Sequence, residues 1–192
     1  METVRLRDGS EVQIRPVEPG DKDAVRRGFE QLGPESRYKR FLSPVARLTD
    51  AQLQYLTDVD HHDHEALVAL ADGTGVGVGR FVRLEPGSRR AEVAVAVVDD
   101  WQGRGLGTVL LDRLSERARD EGVVIFTAAV LMSNRAIIDL LGTLGSTSSR
   151  PGGAGQLDLE IELDGEESLR ELMRNAASGT MRFAERIRTW RP

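Results

Sequence analysis

The most constraining feature of the chain is a short turn, Gln102-Gly103-Arg104-Gly105-Leu106-Gly107, set between a Val/Ala-rich run and an amphipathic stretch. Ala91–Val98 reads as a buried strand. Leu106, Leu110, Leu114 and Ala118 fall on one face of a helix that Gly122 ends. Three alternating glycines let backbone N–H groups converge without Cβ obstruction, which makes an anion-binding nest. The helix that follows aims its positive end and unpaired N–H groups at the same point. Arg104 adds a charge. A pyrophosphate is the natural guest of such a turn.

Two common nucleotide loops do not fit. A Walker loop ends in Gly-Lys-Ser/Thr, and no lysine is near. The dinucleotide fingerprint G-x-G-x-x-G, started at Gly103, needs a glycine where Thr108 stands; Gly107 comes one residue early.

The rest of the chain surrounds this unit with mixed elements. Residues 3–15 read as a hairpin about Asp8-Gly9. A helix from Asp21 carries Val25, Phe29 and Leu32 on one face and stops at Gly33-Pro34. A short helix is predicted over 35–41, and Thr49-x-x-Gln52 has the form of a capping box opening a third. Ala66–Ala71 and Val76–Leu84 are β-type runs parted by the turn at Asp72–Gly75. Val123–Leu131 is a strand and Asn134–Leu144 a helix. Ser146–Gly155 reads as a flexible Ser/Gly/Pro loop before a strand alternating Leu157, Leu159, Ile161 and Leu163 with acids. The expected fold class is mixed α/β (α+β): a mostly antiparallel twisted sheet, one parallel strand pair, and helices on both faces. The expected division is one domain over 1–165 and a helical tail over 166–192, whose Leu169, Leu172, Met173 and Ala176 suit a terminal helix, a homodimer contact, or a cover for an acceptor groove.

Composition narrows the chemistry. With no cysteine among 192 residues, disulfides, thiolate–zinc sites and a cysteine nucleophile are excluded. The net charge of −5 argues against general nucleic-acid binding. No apolar run is long enough to span a bilayer, and Met1–Arg5 does not begin a secretory signal, so no membrane partner and a cytoplasmic location are expected. His61-His62-Asp63-His64-Glu65 is too crowded for its side chains all to face one ion, so no metal is expected.

The segment Val97-Val98-Asp99-Asp100-Trp101-Gln102-Gly103-Arg104-Gly105-Leu106-Gly107-Thr108 resembles the Q/R-x-x-G-x-G/A signature of the GNAT N-acetyltransferases, in its strand–loop–helix setting. Asn134 at a helix start and Leu144-Gly145 at its end resemble the second shared segment of that family. Pro34-Glu35-Ser36-Arg37-Tyr38-Lys39-Arg40-Phe41 and His64-Glu65-Ala66-Leu67-Val68-Ala69 resemble the protein-lysine acetyltransferases related to bacterial Pat. The resemblance implies a GNAT fold with acetyl-CoA as co-substrate and an amine acceptor, protein lysine above all. It implies that the backbone of Val97 and Val98 pairs with pantetheine. Amides from Gln102 through Gly103, Arg104, Gly105, Leu106 and Gly107 to Thr108 would hold the diphosphate, and Asn134 would bond near the acetyl end. An acceptor amine must be neutral to attack, so a general base is useful. Glu92, at a place where the subgroup carries glutamate, is the candidate, with the Val98 N–H as oxyanion donor. Many family members place a tyrosine acid where Leu141 stands here. That departure supports a rival reading, a catalytically inactive acyl-CoA sensor; a small-molecule amine acetyltransferase is the other alternative.

Overall fold

A computed structural model describes residues 1–163 of the chain. The expected boundary at residue 165 and the 166–192 tail lie outside the described residues. Among the described residues eight strands form one sheet in the order β1-β2-β3-β4-β5-β6-β8-β7. β1 (Glu2–Arg5) and β2 (Glu11–Pro16) make the N-terminal hairpin, and β3 (His64–Ala71), β4 (Thr74–Arg83) and β5 (Arg90–Val97) extend it antiparallel. β6 (Ile125–Leu131) is parallel to β5, and β8 (Gln156–Leu163) is antiparallel to β6. Among the described residues five α-helices pack on this sheet: α1 (Lys22–Glu30), α2 (Pro34–Phe41), α3 (Asp50–Thr57), α4 (Leu106–Asp120) and α5 (Arg135–Gly142). The Thr49/Gln52 capping box forms, with the Thr49 hydroxyl accepting the Gln52 amide at 3.2 Å.

The helices divide between the two faces by strand alternation. Leu106, Leu110, Leu111 and Leu114 of α4 share one core with Phe81, Val93, Phe126 and Ile161 of the sheet. Gly77 admits this contact closely: a Cβ there would meet Leu106 Cδ2 and Leu110 Cδ1, each at 3.1 Å. The opposite face, which presents Val78, Arg80 and Ala96, takes α1, α2 and α3. Arg37 of α2 stitches their connections together, donating to the carbonyls of Glu30, Leu32 and Ala46 while stacking 4.5 Å over Phe29.

One expectation is corrected. Gly145–Pro151 is not loop but strand β7, paired antiparallel with β8 from Gly145↔Leu163 to Pro151↔Leu157. Its Ser/Thr side chains are exposed, so backbone pairing, helped by the Arg150–Asp158 ion pair, holds it at the sheet edge. No apolar alternation exists there for a sequence reading to detect.

The His/Asp/Glu run also resolves into structural contacts. His61 Nδ1 meets Glu65 Oε1 at 2.7 Å, His62 reaches Glu121, and His64 Nε2 lies 3.1 Å from Arg80 Nη1. Glu65, 1% exposed, accepts Arg117 Nε of α4 on its other carboxylate oxygen at 3.2 Å and so ties β3 to that helix. Burial first, then the Arg80 charge, holds the His64 imidazole down to about 4. Between that value and the ordinary 6.5, the unfolded chain binds a proton that the folded chain refuses. Stability is therefore complete above pH 6.5 and falls as pH drops toward 4, by about 3 kcal/mol. Denaturant titrations from pH 7.5 to 4.5 should show this loss, and His64→Gln, which does not titrate, should flatten that part of the profile.

Candidate active site

The site begins where two strands part. β5 and β6 share only three rungs, Arg90↔Ile125, Ala91↔Phe126 and Glu92↔Thr127. Beyond them β5 stays with β4 as far as Val97, and β6 stays with β8 as far as Leu131. The facing edges of Val93–Val97 and of β6 beyond Thr127 have no strand between them among the described residues.

Ladder parity decides which backbone groups face this opening. The Arg90 carbonyl accepts Leu84 N–H at 3.2 Å and the Val98 amide donates to Val76 O at 3.0 Å, so even-numbered residues of β5 bond to β4. Val95 and Val97 consequently turn their amides to the open edge. The expectation for Val98 is corrected: its N–H is held by Val76, and its carbonyl accepts Trp101 N–H at 2.8 Å. Neither group of Val98 faces the gap, and the open donors are its odd-numbered neighbours.

The glycine turn stands at the end of the same strand. Gly103 and Gly105 have φ of +74° and +92°, the left-handed region that side chains resist. Gly105 is the N-cap of α4, which has no side-chain cap and no acid in its first turn. Among the described residues, no protein group accepts the amides of Gly103, Arg104, Gly105, Leu106, Gly107 or Thr108. Six consecutive donors are thus free at a helix start. The run is one shorter than expected, because Gln102 N–H is used by Asp99 O at 3.1 Å.

The polar side chains around the turn mostly fix its shape. Gln102 Nε2 donates to Val97 O at 3.0 Å, Asp99 Oδ1 at 3.1 Å and Ser36 Oγ at 3.3 Å. Asp99 also accepts the Gly33 amide at 3.1 Å, so the turn is tied to the start of α2. Arg104 does not point its charge at the nest. It pairs with Asp8 at 3.0 Å, donates to Asp100 O at 2.7 Å and stacks 4.7 Å from the Trp101 ring. Arg7 is the cation that sequence reasoning missed. Its amide donates to Arg104 O at 3.2 Å and its side chain passes within 3.3–3.4 Å of where a Gly105 Cβ would lie. Its position depends on the hairpin turn meeting residues a hundred places along the chain, which no local pattern announces.

Glu92 lies on the last shared rung, at the vertex of the opening. Its side chain is exposed on the α1–α3 face, in a groove of about 420 Å³ with Arg40, Tyr55, Arg80, Val82 and Ala94 on its walls. α2 packs against both β5 and β6 over this region. Asn134, half-buried, precedes α5; its backbone amide donates to Leu131 O at 2.9 Å, while its side-chain amide bonds to no described group. Leu141 is 2% exposed and belongs to the core. Two acids on the exposed face of β8 are compensated, Glu160 by Arg90 at 2.5 Å and Asp158 by Arg150 at 3.3 Å.

An eight-stranded sheet that splays at one parallel pair, beside a glycine turn opening a helix, defines the GNAT acetyltransferase fold. The chain belongs to that family: the profile described as "Acetyltransferase (GNAT) family" matches residues 30–145. Over 145 residues it is 39% identical to the acetyltransferase Pat of Mycolicibacterium smegmatis, covering 74% of this chain and 43% of that protein. Over 150 residues it is 35% identical to an acetyltransferase of Pseudomonas aeruginosa, covering 76% of this chain and 80% of the relative. The crystal structure of the GNAT domain of S. lividans PAT superposes with a TM-score of 0.78 at 31% identity, covering 84% of this chain and 96% of that domain. The chain thus resembles the Pat-like subgroup and spans less than half of the Mycolicibacterium protein.

Proposed function

We propose that this domain binds acetyl-CoA and transfers its acetyl group directly to a primary amine, with protein lysine the favoured acceptor. The observation that carries the reading is the run of six unpaired amides, Gly103–Thr108, at the start of α4 beside the open edge of β5. A diphosphate satisfies those donors and the helix end together. Arg7 adds charge from the hairpin side. The amides of Val95 and Val97, with Asn134 across the gap, suit an extended amide-bearing arm such as pantetheine. The bound co-substrate supplies an activated thioester.

The chain's own residues then have two tasks. An alkylammonium with a pKa near 10.4 must lose a proton before it can attack. Glu92, at the vertex and open to the groove, is placed to take that proton directly or through water. A donor on the open edge, Val97 or Val95 rather than Val98, is placed to meet charge developing on the carbonyl oxygen. With Leu141 in the core, no hydroxyl at that position protonates the leaving thiolate, and a CoA thiolate can leave without one.

The buried Leu141 also favours the second reading, an acyl-CoA sensor without turnover. A thiol-release screen over protein lysines, polyamines, amino acids and aminoglycosides separates the two. Free CoA thiol with at least one amine is the expected result. Calorimetric heat with acetyl-CoA but no thiol from any amine leaves the sensor; no heat with any CoA ester removes both.

A further inference from the structure

The groove around Glu92 is unbalanced in charge. Three arginines and one carboxylate line it. Arg83 is paired with Asp63 at 2.8 Å. Arg80 donates to Leu56 O at 3.0 Å and meets only the neutral His64 ring at 3.1 Å. Arg40 makes no hydrogen bond to a described group; its guanidinium lies over the Phe41 ring, 5.1 Å from the centroid. Neither Arg40 nor Arg80 has a carboxylate within ion-pair reach among the described residues. Glu92 acts on Arg40 only through space.

Two guanidinium groups therefore share a crowded groove with one acid, in a chain whose net charge is −5. Arginine does not shed its proton in proteins, so this positive potential persists at any working pH. Burial lowers both guanidinium pKa values, that of Arg80 to about 10, and the Arg40 charge adds to the strain on Arg80. A surplus cation enclosed in this way is relieved by an anion that arrives with the ligand. An acceptor carrying only positive charge would enter against net repulsion.

Given that the groove takes the acceptor of acetyl transfer, we propose that this acceptor carries a carboxylate close to its reacting amine. The carboxylate is received by Arg40, with Arg80 behind it, while the amine faces Glu92. The planar fork of Arg40, at the end of α2 and free of other hydrogen bonds, suits bidentate contact with a carboxylate. The same chemistry is offered by a free amino acid and by an acidic residue beside a lysine in a protein. Arg40 is then a specificity-determining residue, not a group that moves the proton.

Matched acceptors test this. One pair is a lysine peptide flanked by glutamate and the same peptide with glutamine; the other is an amino acid and its amide. Initial rates give kcat and KM for each with the wild type, Arg40→Gln and Arg40→Lys. The expected result is a kcat/KM preference for the carboxylate member of about tenfold or more, residing in KM. Arg40→Gln should erase it and Arg40→Lys should recover part of it. Whichever pair shows the preference identifies the source of the carboxylate. Equal kcat/KM within both pairs, or a preference that survives Arg40→Gln, overturns the assignment and leaves acetyl transfer standing. Should no acceptor turn over, calorimetry of the same pairs on the CoA-saturated protein still decides. Carboxylate-dependent binding lost in Arg40→Gln supports the site, and its absence refutes it.

Discussion

Replacing Glu92 by glutamine should lower kcat about 10²- to 10⁴-fold while leaving the dissociation constant for acetyl-CoA within about twofold of the wild type. The expectation rests on where the residue sits. Glu92 occupies the last rung that β5 and β6 share, and its carboxylate opens to the groove on the face opposite α4. The free amides of the glycine turn lie at the start of α4, several residues further along. The substitution keeps shape and polarity and removes the ability to accept a proton, so binding at the turn is untouched and only deprotonation suffers. The measurement is steady-state thiol release beside calorimetry with acetyl-CoA. Raising the pH, which deprotonates the acceptor without help, should recover part of the lost rate. A variant that turns over like the wild type at neutral pH would remove Glu92 from the base role.

How much of this was legible before folding depends on the range of the interactions involved. The glycine turn was legible because its three constraints are local: left-handed backbone at Gly103 and Gly105, an uncapped helix start, and a strand just before it. The Thr49/Gln52 box was legible for the same reason. The direction of the Val98 amide was not, since it follows from pairing with Val76, and hydrogen-bond parity within a strand is set by the partner's register. The Arg104 side chain pairs with Asp8, 96 residues away in sequence, a contact that no local pattern announces. β7 escaped because an exposed Ser/Thr edge carries no hydrophobic period. The segments that suggested the Pat-like subgroup divide between tasks: Arg37 and Glu65 hold elements together, Ser36 braces the turn, and Arg40 faces the groove. Sequence likeness alone does not separate those roles; only contacts do.

The double substitution Gly103→Ala, Gly105→Ala should weaken acetyl-CoA binding by about 30- to 1000-fold. Each alanine must hold a φ near +74° or +92°, at a cost of roughly 1–2 kcal/mol per residue in the left-handed region. At Gly103 the space is open, so the penalty there is backbone strain alone. At Gly105 the new Cβ also lies 3.3 Å from Arg7 Nε and pushes that cation away from the turn. The strain appears as lost affinity more than lost stability. Without ligand the six amides have no described protein partner, and only the exposed contacts of Arg104 with Arg7, Asp8 and Asp100 brace the turn between its glycines, so it can relax in part; binding the diphosphate forces it back. The side-chain braces from Gln102 and Asp99 lie before Gly103 and remain intact, as does the buried leucine face of α4. The thermal midpoint of the ligand-free variant should therefore stay within a few degrees of the wild type, as expected of a strain of about 1 kcal/mol or less in the folded state. Calorimetry with acetyl-CoA and with CoA reads the effect directly, and the two ligands should lose affinity in equal measure because the turn meets their common diphosphate. An unchanged dissociation constant would mean that the diphosphate is held elsewhere, and the site assignment would fall with it.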